Sequence, residues 1–130
     1  MTTPGLPPMG NLMQIAMPVQ DIERAVAFYR DTLGVPFLFQ AGNLAFFNLD
    51  GVRLMIEVPE DAAFAKHASV LYFRVPSVEE AHAALLAKGV NFEAGPHIVH
   101  RDERMELWMA FFHDGEGNMH ALAAEKPLLS

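Results

Sequence analysis

Four polar side chains on predicted strands are of types that could do chemistry on a small molecule. The amide oxygen of Gln14 can ligate a metal ion, and the carboxylate of Glu57 can ligate a metal or act as a general base. The Tyr72 hydroxyl can donate a hydrogen bond, and Arg74 can hold an anionic or carbonyl group. Two of these residues lie in each half of the chain, so a shared site needs a fold that joins the halves.

The composition argues against several other functions. The chain has no cysteine, which excludes disulfides, thiolate metal sites and cysteine nucleophiles. Its formal net charge of -7 disfavours binding to nucleic acids and to anionic membranes. The start of the sequence lacks the pattern of a signal peptide, and no apolar run is long enough to span a membrane. We therefore expect a cytoplasmic protein.

A strand followed by a helix occurs twice. The segment MQIAMPVQDIERAVAFY, starting at Met13, matches SVLYFRVPSVEEAHAAL, starting at Ser69. Apolar residues recur at helical spacing in both copies, with Asp21 as the predicted cap of the first helix and Ser77 as that of the second. An internal repeat of this length indicates two similar modules that pack together.

Three further strand-like runs follow each helix, separated by turn residues, so each half is predicted to be βαβββ. The expected fold is α+β, with two tandem modules forming a curled sheet and a concave cleft. The predicted boundaries are a flexible leader (1–10), one domain (11–125) and a tail (126–130). Within the domain, module 1 covers about 11–58, a linker 59–67 and module 2 about 68–125.

Three segments resemble the vicinal oxygen chelate superfamily, which includes glyoxalase I, extradiol dioxygenases, fosfomycin-resistance enzymes and bleomycin-resistance proteins. They are QIAMPVQDIERAVAFYRDTLGV, LYFRVPSVEEAHAALLAKGV and MAFFHDGEGNMHAL. The resemblance covers about residues 11 to 125 and implies the glyoxalase-like fold. It also implies a place for a divalent metal, because the enzymes of this superfamily hold one through the first and fourth strands of each half.

In this chain, the four positions that match the superfamily's metal ligands are Gln14, Met55, Val70 and Ala121. Of these, Gln14 alone offers an oxygen donor, and a thioether is a poor ligand for a hard metal. The resemblance therefore implies that no metal is bound at the usual place. If a divalent metal does bind, Gln14 and Glu57 are its expected ligands.

Aromatic and histidine side chains add to the predicted cleft. Trp108, the single tryptophan, is predicted to line the cavity, although the pattern does not decide which face of its strand points inward. His97 and His100 are expected on opposite faces of an extended strand, where they cannot chelate one ion unless the strand bends.

These features favour a binding protein similar to the bleomycin-resistance proteins, with a small, largely apolar or aromatic ligand in the cleft and no cofactor. The predicted ligand-binding residues are Gln14, Met55, Val70, Arg74, Trp108 and Ala121. One alternative is a metal-dependent lyase, isomerase or dioxygenase built on Gln14 and Glu57. Another is a metal-free catalyst in which Glu57 acts as the base and Tyr72 or Arg74 stabilises an oxyanion. A further alternative is a dimerisation module whose cleft is filled by Met55, Trp108 and Phe112. The resemblance also implies a homodimer.

Overall fold

The computed structural model describes residues 12–60 and 69–128. The predicted leader and most of the predicted linker lie outside the described residues. No helix in the described ranges is both long enough and apolar enough to cross a membrane.

Module 1 forms a four-stranded sheet with a helical segment on one side. Its elements are β1 (Gln14–Pro18), α1 (Ile22–Ala27), a π-helical turn (Phe28–Thr32), β2 (Phe37–Ala41), β3 (Leu44–Leu49) and β4 (Val52–Glu57). The strand order is β1-β4-β3-β2, with β1 parallel to β4. The predicted cap is present, because the Asp21 side chain accepts a hydrogen bond from the Arg24 amide at 3.1 Å. Asp50 and Gly51, both with positive φ, form the tight turn between β3 and β4.

Module 2 repeats this plan. Its elements are β5 (Tyr72–Arg74), α2 (Val78–Ala87), β6 (Asn91–Phe92), β7 (His97–Arg101), β8 (Met105–His113) and β9 (Met119–Pro127). The strand order is β5-β9-β8-β6, and β7 also pairs with β8. One predicted strand is split into β6 and β7, and β9 continues to Pro127, so the predicted tail begins two residues too early. Ser77 caps α2 as predicted, accepting from the Glu80 amide at 3.2 Å.

The predicted α+β class and the two βαβββ modules are confirmed. Each sheet packs one face against its own helix, and the core separates into two clusters, one for each module. The two sheets are not joined by strand pairing into one continuous sheet, because every described ladder lies within a module. Within residues 12–60 and 69–128, the remaining face of each sheet carries no helix, and we call these the open faces of modules 1 and 2.

A buried chain of hydrogen bonds joins the modules. The Leu71 amide donates to His120 Nδ1 at 3.3 Å, and His120 Nε2 lies 2.8 Å from the Tyr29 hydroxyl. That hydroxyl donates to Asp114 Oδ2 at 2.6 Å. Since Nδ1 accepts a hydrogen bond, the proton of His120 is on Nε2 and the ring is neutral. Burial and the Asp114 carboxylate both raise the pKa of Tyr29 well above its usual range, so its hydroxyl remains a donor.

A second contact across the junction is made by Glu116, in the turn between β8 and β9. The residue is 3% exposed, and its Oε1 accepts hydrogen bonds from the amides of Gln20 and Asp21 at 2.8 and 2.7 Å. Its other carboxylate oxygen pairs with the Arg24 guanidinium. A buried carboxylate with three donors is satisfied, so this contact fixes the start of α1 against module 2.

The junction lies on the helix side of both sheets. Phe28 and Leu33 pack against both core clusters, and the Lys88 ammonium donates to the carbonyls of Asp31 and Thr32, each at 3.2 Å. Helix-side residues make these contacts, but a cavity of about 860 Å³ between the modules is also lined by Asn48 of the module 1 open face and by Tyr72 and Arg74 of the module 2 open face.

Candidate functional site

The open face of module 1 is set by the alternation of β1, β3 and β4. Leu54 and Ile56 are fully buried beneath the helix, which places their neighbours on the other side of the sheet. The face comprises Gln14, Phe46, Asn48, Arg53, Met55 and Glu57. Five of these, Gln14, Phe46, Arg53, Met55 and Glu57, are half-buried, and Phe46 stacks on Phe39 with ring centroids 4.5 Å apart. The result is an aromatic and thioether floor with charged groups towards its ends.

Gln14 and Arg53 are direct partners on this face. They lie opposite each other in the parallel pair of β1 and β4, and Arg53 Nε donates to Gln14 Oε1 at 2.8 Å. The amide nitrogen of Gln14 points to Met55 Sδ at 3.7 Å. Reversing the amide would set its NH₂ group against the guanidinium, so the hydrogen bonds fix its orientation. The Gln14 oxygen is thus occupied by a cation that belongs to the protein.

Arg53 is absent from the sequence prediction, although a signal was available. Met55 and Glu57 were both placed on the open face, and strand alternation puts Arg53 on that face two residues before Met55. Its guanidinium carbon lies 5.6 Å from the centre of the Phe46 ring, a cation–π distance.

Gln14 and Glu57 cannot bind the same metal ion in this arrangement, which corrects the predicted alternative pair. Glu57 lies opposite Pro18, four residues along the strands from the Gln14–Arg53 pair, or about 13 Å. Ligand oxygens lie only about 2.0–2.6 Å from a divalent ion, so the separation is too large. Among residues 12–60 and 69–128, no group of three or more histidine, aspartate or glutamate side chains is arranged to hold a metal.

Glu57 lies beside a cavity of about 700 Å³ at the end of the module 1 face. The cavity is also lined by Ala41, Asn43, Leu44, Val58, Pro59 and Glu60. It is open and shallow, so Glu57 is accessible to a small molecule but not enclosed.

The open face of module 2 has an aromatic group at its centre. Ala121 pairs with Tyr72 on one side and with Phe111 on the other, and it is fully buried. The rings of Tyr72 and Phe111 meet edge to face with centroids 6.3 Å apart, while Tyr72 is 56% exposed. Val70 lies just before β5 on this module. The aromatic pair therefore flanks Ala121, one of the four positions that match the superfamily's metal ligands.

Arg74 is also on the module 2 face, where it has a partner. Its guanidinium lies 3.2 Å from Glu125 Oε1, and both side chains are exposed. This ion pair lies within module 2, next to a cavity of about 160 Å³ that Tyr72 and Leu107 also line. A ligand anion would have to compete with Glu125 for Arg74.

Trp108 does not line an open face, which corrects the prediction. It pairs with the buried Ala124, packs against the module 2 core and donates to Glu106 at 3.1 Å. The Lys126 ammonium lies 4.3 Å from its ring centre. Phe112 is fully buried on the same helix side, so neither aromatic fills the predicted cleft. The residues of β8 that do face outward are Leu107, Met109 and Phe111.

A bulge in β7 changes the placement of two histidines. The register shifts between Ile98 and His100, so His97 pairs with Met109 and His100 with Leu107. Both histidines therefore lie on the open face of module 2, not on opposite faces as expected for a regular strand. His97 stacks near Phe111 at 6.3 Å, and His100 contacts Asp102 at 3.2 Å, so they have separate partners.

The structure brings together some predicted site residues within each module but not across them. In module 1, Gln14 contacts Met55. In module 2, Val70 lies near Ala121, because the Ala121 amide donates to the carbonyl of Leu71, the residue after Val70, at 2.9 Å. The two pairs lie on different sheets. Glu57 and Tyr72, the predicted catalytic pair, likewise line different cavities. Val70, Tyr72 and Arg74 share a further cavity of about 860 Å³ with Ile15 and Asn48 of module 1, and Gln14, Met55 and Glu57 are not among its lining residues.

Known proteins share this architecture. A superfamily member of the glyoxalase/bleomycin resistance protein/dioxygenase type from Sphaerobacter thermophilus superposes with a TM-score of 0.76 at 21% identity, covering 90% of this chain and 98% of that one. Lactoylglutathione lyase from Agrobacterium tumefaciens gives a TM-score of 0.71 at 24% identity, covering 90% and 95%. At these identities the likeness concerns the fold.

The sequence comparisons agree with the structural ones. A glyoxylase-like domain-containing protein from Didymella fabae is 28% identical over 128 residues, which cover 87% of this chain and 92% of that protein. The family model described as Glyoxalase/Bleomycin resistance protein/Dioxygenase superfamily matches residues 11–122, nearly the whole of both modules. The chain therefore belongs to the glyoxalase/bleomycin resistance protein/dioxygenase superfamily.

Proposed function

We propose that this protein binds a small, largely apolar or aromatic molecule on its open faces, without a metal ion at the place where enzymes of the superfamily hold one. The observation that carries the proposal is the Gln14–Arg53 hydrogen bond of 2.8 Å. It occupies the one oxygen donor among the four matching positions with a guanidinium, whose positive charge also repels a metal cation. Met55, Val70 and Ala121 offer no hard donor in its place.

The floor of the module 1 face supports the class of ligand. Phe46, Phe39 and Met55 present flat aromatic and polarisable thioether surface, and Phe39 is 49% exposed. A few polar groups, Gln14, Arg53 and Glu57, surround this apolar surface. Mostly apolar walls with a few orienting polar groups are typical of small-molecule sites.

We propose further that two copies of the chain complete the site. The packing and hydrogen-bond contacts of the junction within one chain are made from the helix sides, which leaves Phe39 and Tyr72 of the open faces substantially exposed. In a two-fold dimer, the module 1 face of one copy can meet the module 2 face of the other, and the symmetry then covers all four faces. Large apolar side chains that are substantially exposed on a single chain support this arrangement, including Phe39 at 49% and Tyr72 at 56%.

The proposal is tested by titrating chelator-treated protein with 2-naphthamide, a neutral flat aromatic probe, in a calorimeter. We expect saturable binding that is unchanged when divalent metals are added back. Met55→Ala should weaken the binding, because it removes the thioether side chain from the apolar floor. Met13→Ala should not weaken it, because Met13 is 71% exposed just before β1. Absence of saturable binding of both 2-naphthamide and its anionic analogue 2-naphthoate, or binding that requires a metal, would overturn the proposal.

A further inference from the structure

Three of the described arginine and lysine residues have no carboxylate partner, Arg53, Lys88 and Arg104, and of these Arg53 alone lies within a strand. Within residues 12–60 and 69–128, the ion pairs made by arginine or lysine use Arg24, Arg30, Arg74, Arg101 and Lys126. Arg53 is half-buried, and the acidic residue on its own face, Glu57, lies about 13 Å away along β4. The module 1 face therefore carries a local positive charge on a chain whose net charge is -7.

From this we infer that the module 1 face binds an aromatic molecule bearing an anionic group, a carboxylate above all, with Arg53 as the anchor of the anion. The inference rests on the proposed function and specifies its ligand class.

The guanidinium is held in place before any ligand arrives. Gln14 Oε1 accepts from Nε at 2.8 Å, and the Phe46 ring lies 5.6 Å from the guanidinium carbon. The Arg53 side chain has five N–H donors. Among the described residues, Gln14 is the one that accepts a hydrogen bond from it. Because Nε is occupied, the two terminal nitrogens form the edge that can face a ligand. Two parallel donors match the two oxygens of a carboxylate.

The aromatic part of the ligand has a surface next to this edge. Arg53, Met55 and Glu57 alternate along β4, and Phe46 lies beside Met55 on β3. A flat ring resting on Met55 and the Phe39–Phe46 stack would place its carboxylate at Arg53 and keep it away from Glu57. An aromatic carboxylate thus matches both the apolar floor and the unpaired charge of Arg53.

The test compares 2-naphthoate with 2-naphthamide, which have nearly the same shape and differ in charge, by calorimetry on the chelator-treated protein. We expect naphthoate to bind at least about tenfold more tightly than naphthamide, the typical gain from a charge-assisted hydrogen-bonded pair. In Arg53→Gln the naphthoate affinity should fall about tenfold, while naphthamide binding stays within about twofold. Arg53→Lys, which keeps the charge and loses the two-pronged edge, should give an intermediate affinity.

Arg30→Gln is the matched control. Arg30 belongs to the same module and its loss removes the same charge, but it lies in the π-helical turn and pairs with Asp31 at 2.8 Å. This variant should keep the preference for naphthoate. Equal affinities for the two probes in the unmodified protein, or a preference that survives in Arg53→Gln, would overturn the inference and leave the proposed function intact. Failure of both probes to bind would overturn both.

Discussion

Arg53 donates from its Nε to the amide oxygen of Gln14 across 2.8 Å, between two parallel strands of the module 1 sheet. The hydrogen bond joins the residue at a metal-ligand position of the superfamily to a fixed positive charge. A metal-binding face and an anion-binding face need opposite local charges. This pair therefore favours an anionic ligand over a metal ion at that position.

Changing Gln14 should alter how well the face distinguishes an anion from a neutral molecule. Gln14→Leu removes the acceptor that orients Arg53, and we expect naphthoate affinity to fall about threefold with naphthamide nearly unchanged. Gln14→Glu keeps an acceptor but neutralises the guanidinium, so the loss for naphthoate should be larger, about tenfold. Calorimetric titration of both variants with both probes measures these ratios. Equal losses for the two probes would mean that Gln14 acts on the floor and not through Arg53.

The Tyr29 hydroxyl should be a major contributor to the stability of the module junction. In Tyr29→Phe, the buried Asp114 carboxylate and the buried His120 imidazole both lose a hydrogen-bond partner. We expect the free energy of unfolding to fall by about 2–3 kcal/mol, measured by urea denaturation. Tyr72→Phe removes the same hydroxyl from a residue that is 56% exposed and should cost less than about 0.5 kcal/mol. Similar losses in the two variants would contradict the role assigned to Tyr29.

His120 should make the protein sensitive to mild acid. Burial lowers the pKa of His120 from its ordinary value of 6.5, against a smaller opposing effect of the Asp114 carboxylate. The unfolded chain then binds more protons than the folded one, so the free energy of unfolding decreases as the pH falls below about 6.5 and levels off below the folded pKa. Protonation would also set an N–H of His120 against the Leu71 amide.

The measurement is the free energy of unfolding from about pH 8 to about pH 5, compared with His120→Asn. The His120 contribution to the slope of the free energy of unfolding against pH can reach at most about 1.4 kcal/mol per pH unit. His120→Asn should lack this contribution. The comparison concerns the slopes, so it holds even if the variant is less stable at every pH. Parallel curves for the two proteins would show that His120 does not titrate differently on folding.

The dimer proposed above predicts a difference between two exposed apolar residues. Phe39 belongs to the apolar floor of module 1, and Leu86 lies on α2. Each residue is 49% exposed. Phe39→Lys places a charge in the proposed interface and should give a monomer in analytical ultracentrifugation, whereas Leu86→Lys should remain a dimer. A monomeric unmodified protein, or a dimer that survives Phe39→Lys, would contradict the arrangement.

The sequence predicted the modules well because the signals are local and occur twice. The caps at Asp21 and Ser77, the helical spacing and the strand alternation of β1 and β4 all appear in the structure. They specify which residues of β1 and β4 are buried, and so they also place Gln14, Met55 and Glu57 on the open face.

The sequence did not decide features that depend on distant partners. In β8 both faces are apolar, so alternation gives the period without saying whether Trp108 or Phe111 faces outward. The bulge in β7 reverses the expected placement of His100 relative to His97. Tyr29 has the spacing of an ordinary core residue of a helix, and its partner Asp114 lies 85 residues away. The relative position of the two open faces depends on such contacts.

The central claim is that the module 1 face holds Arg53 in place of a metal. Its most direct test is elemental analysis of the purified protein, combined with thermal unfolding in the presence of Ni, Zn, Co, Mn or Fe(II), since a metal that binds the native state must raise its stability. We expect substoichiometric metal and no specific shift of Tm. Near-stoichiometric metal, with a shift abolished by Gln14→Ala or Glu57→Ala, would contradict this claim and make a metal-dependent enzyme the better account.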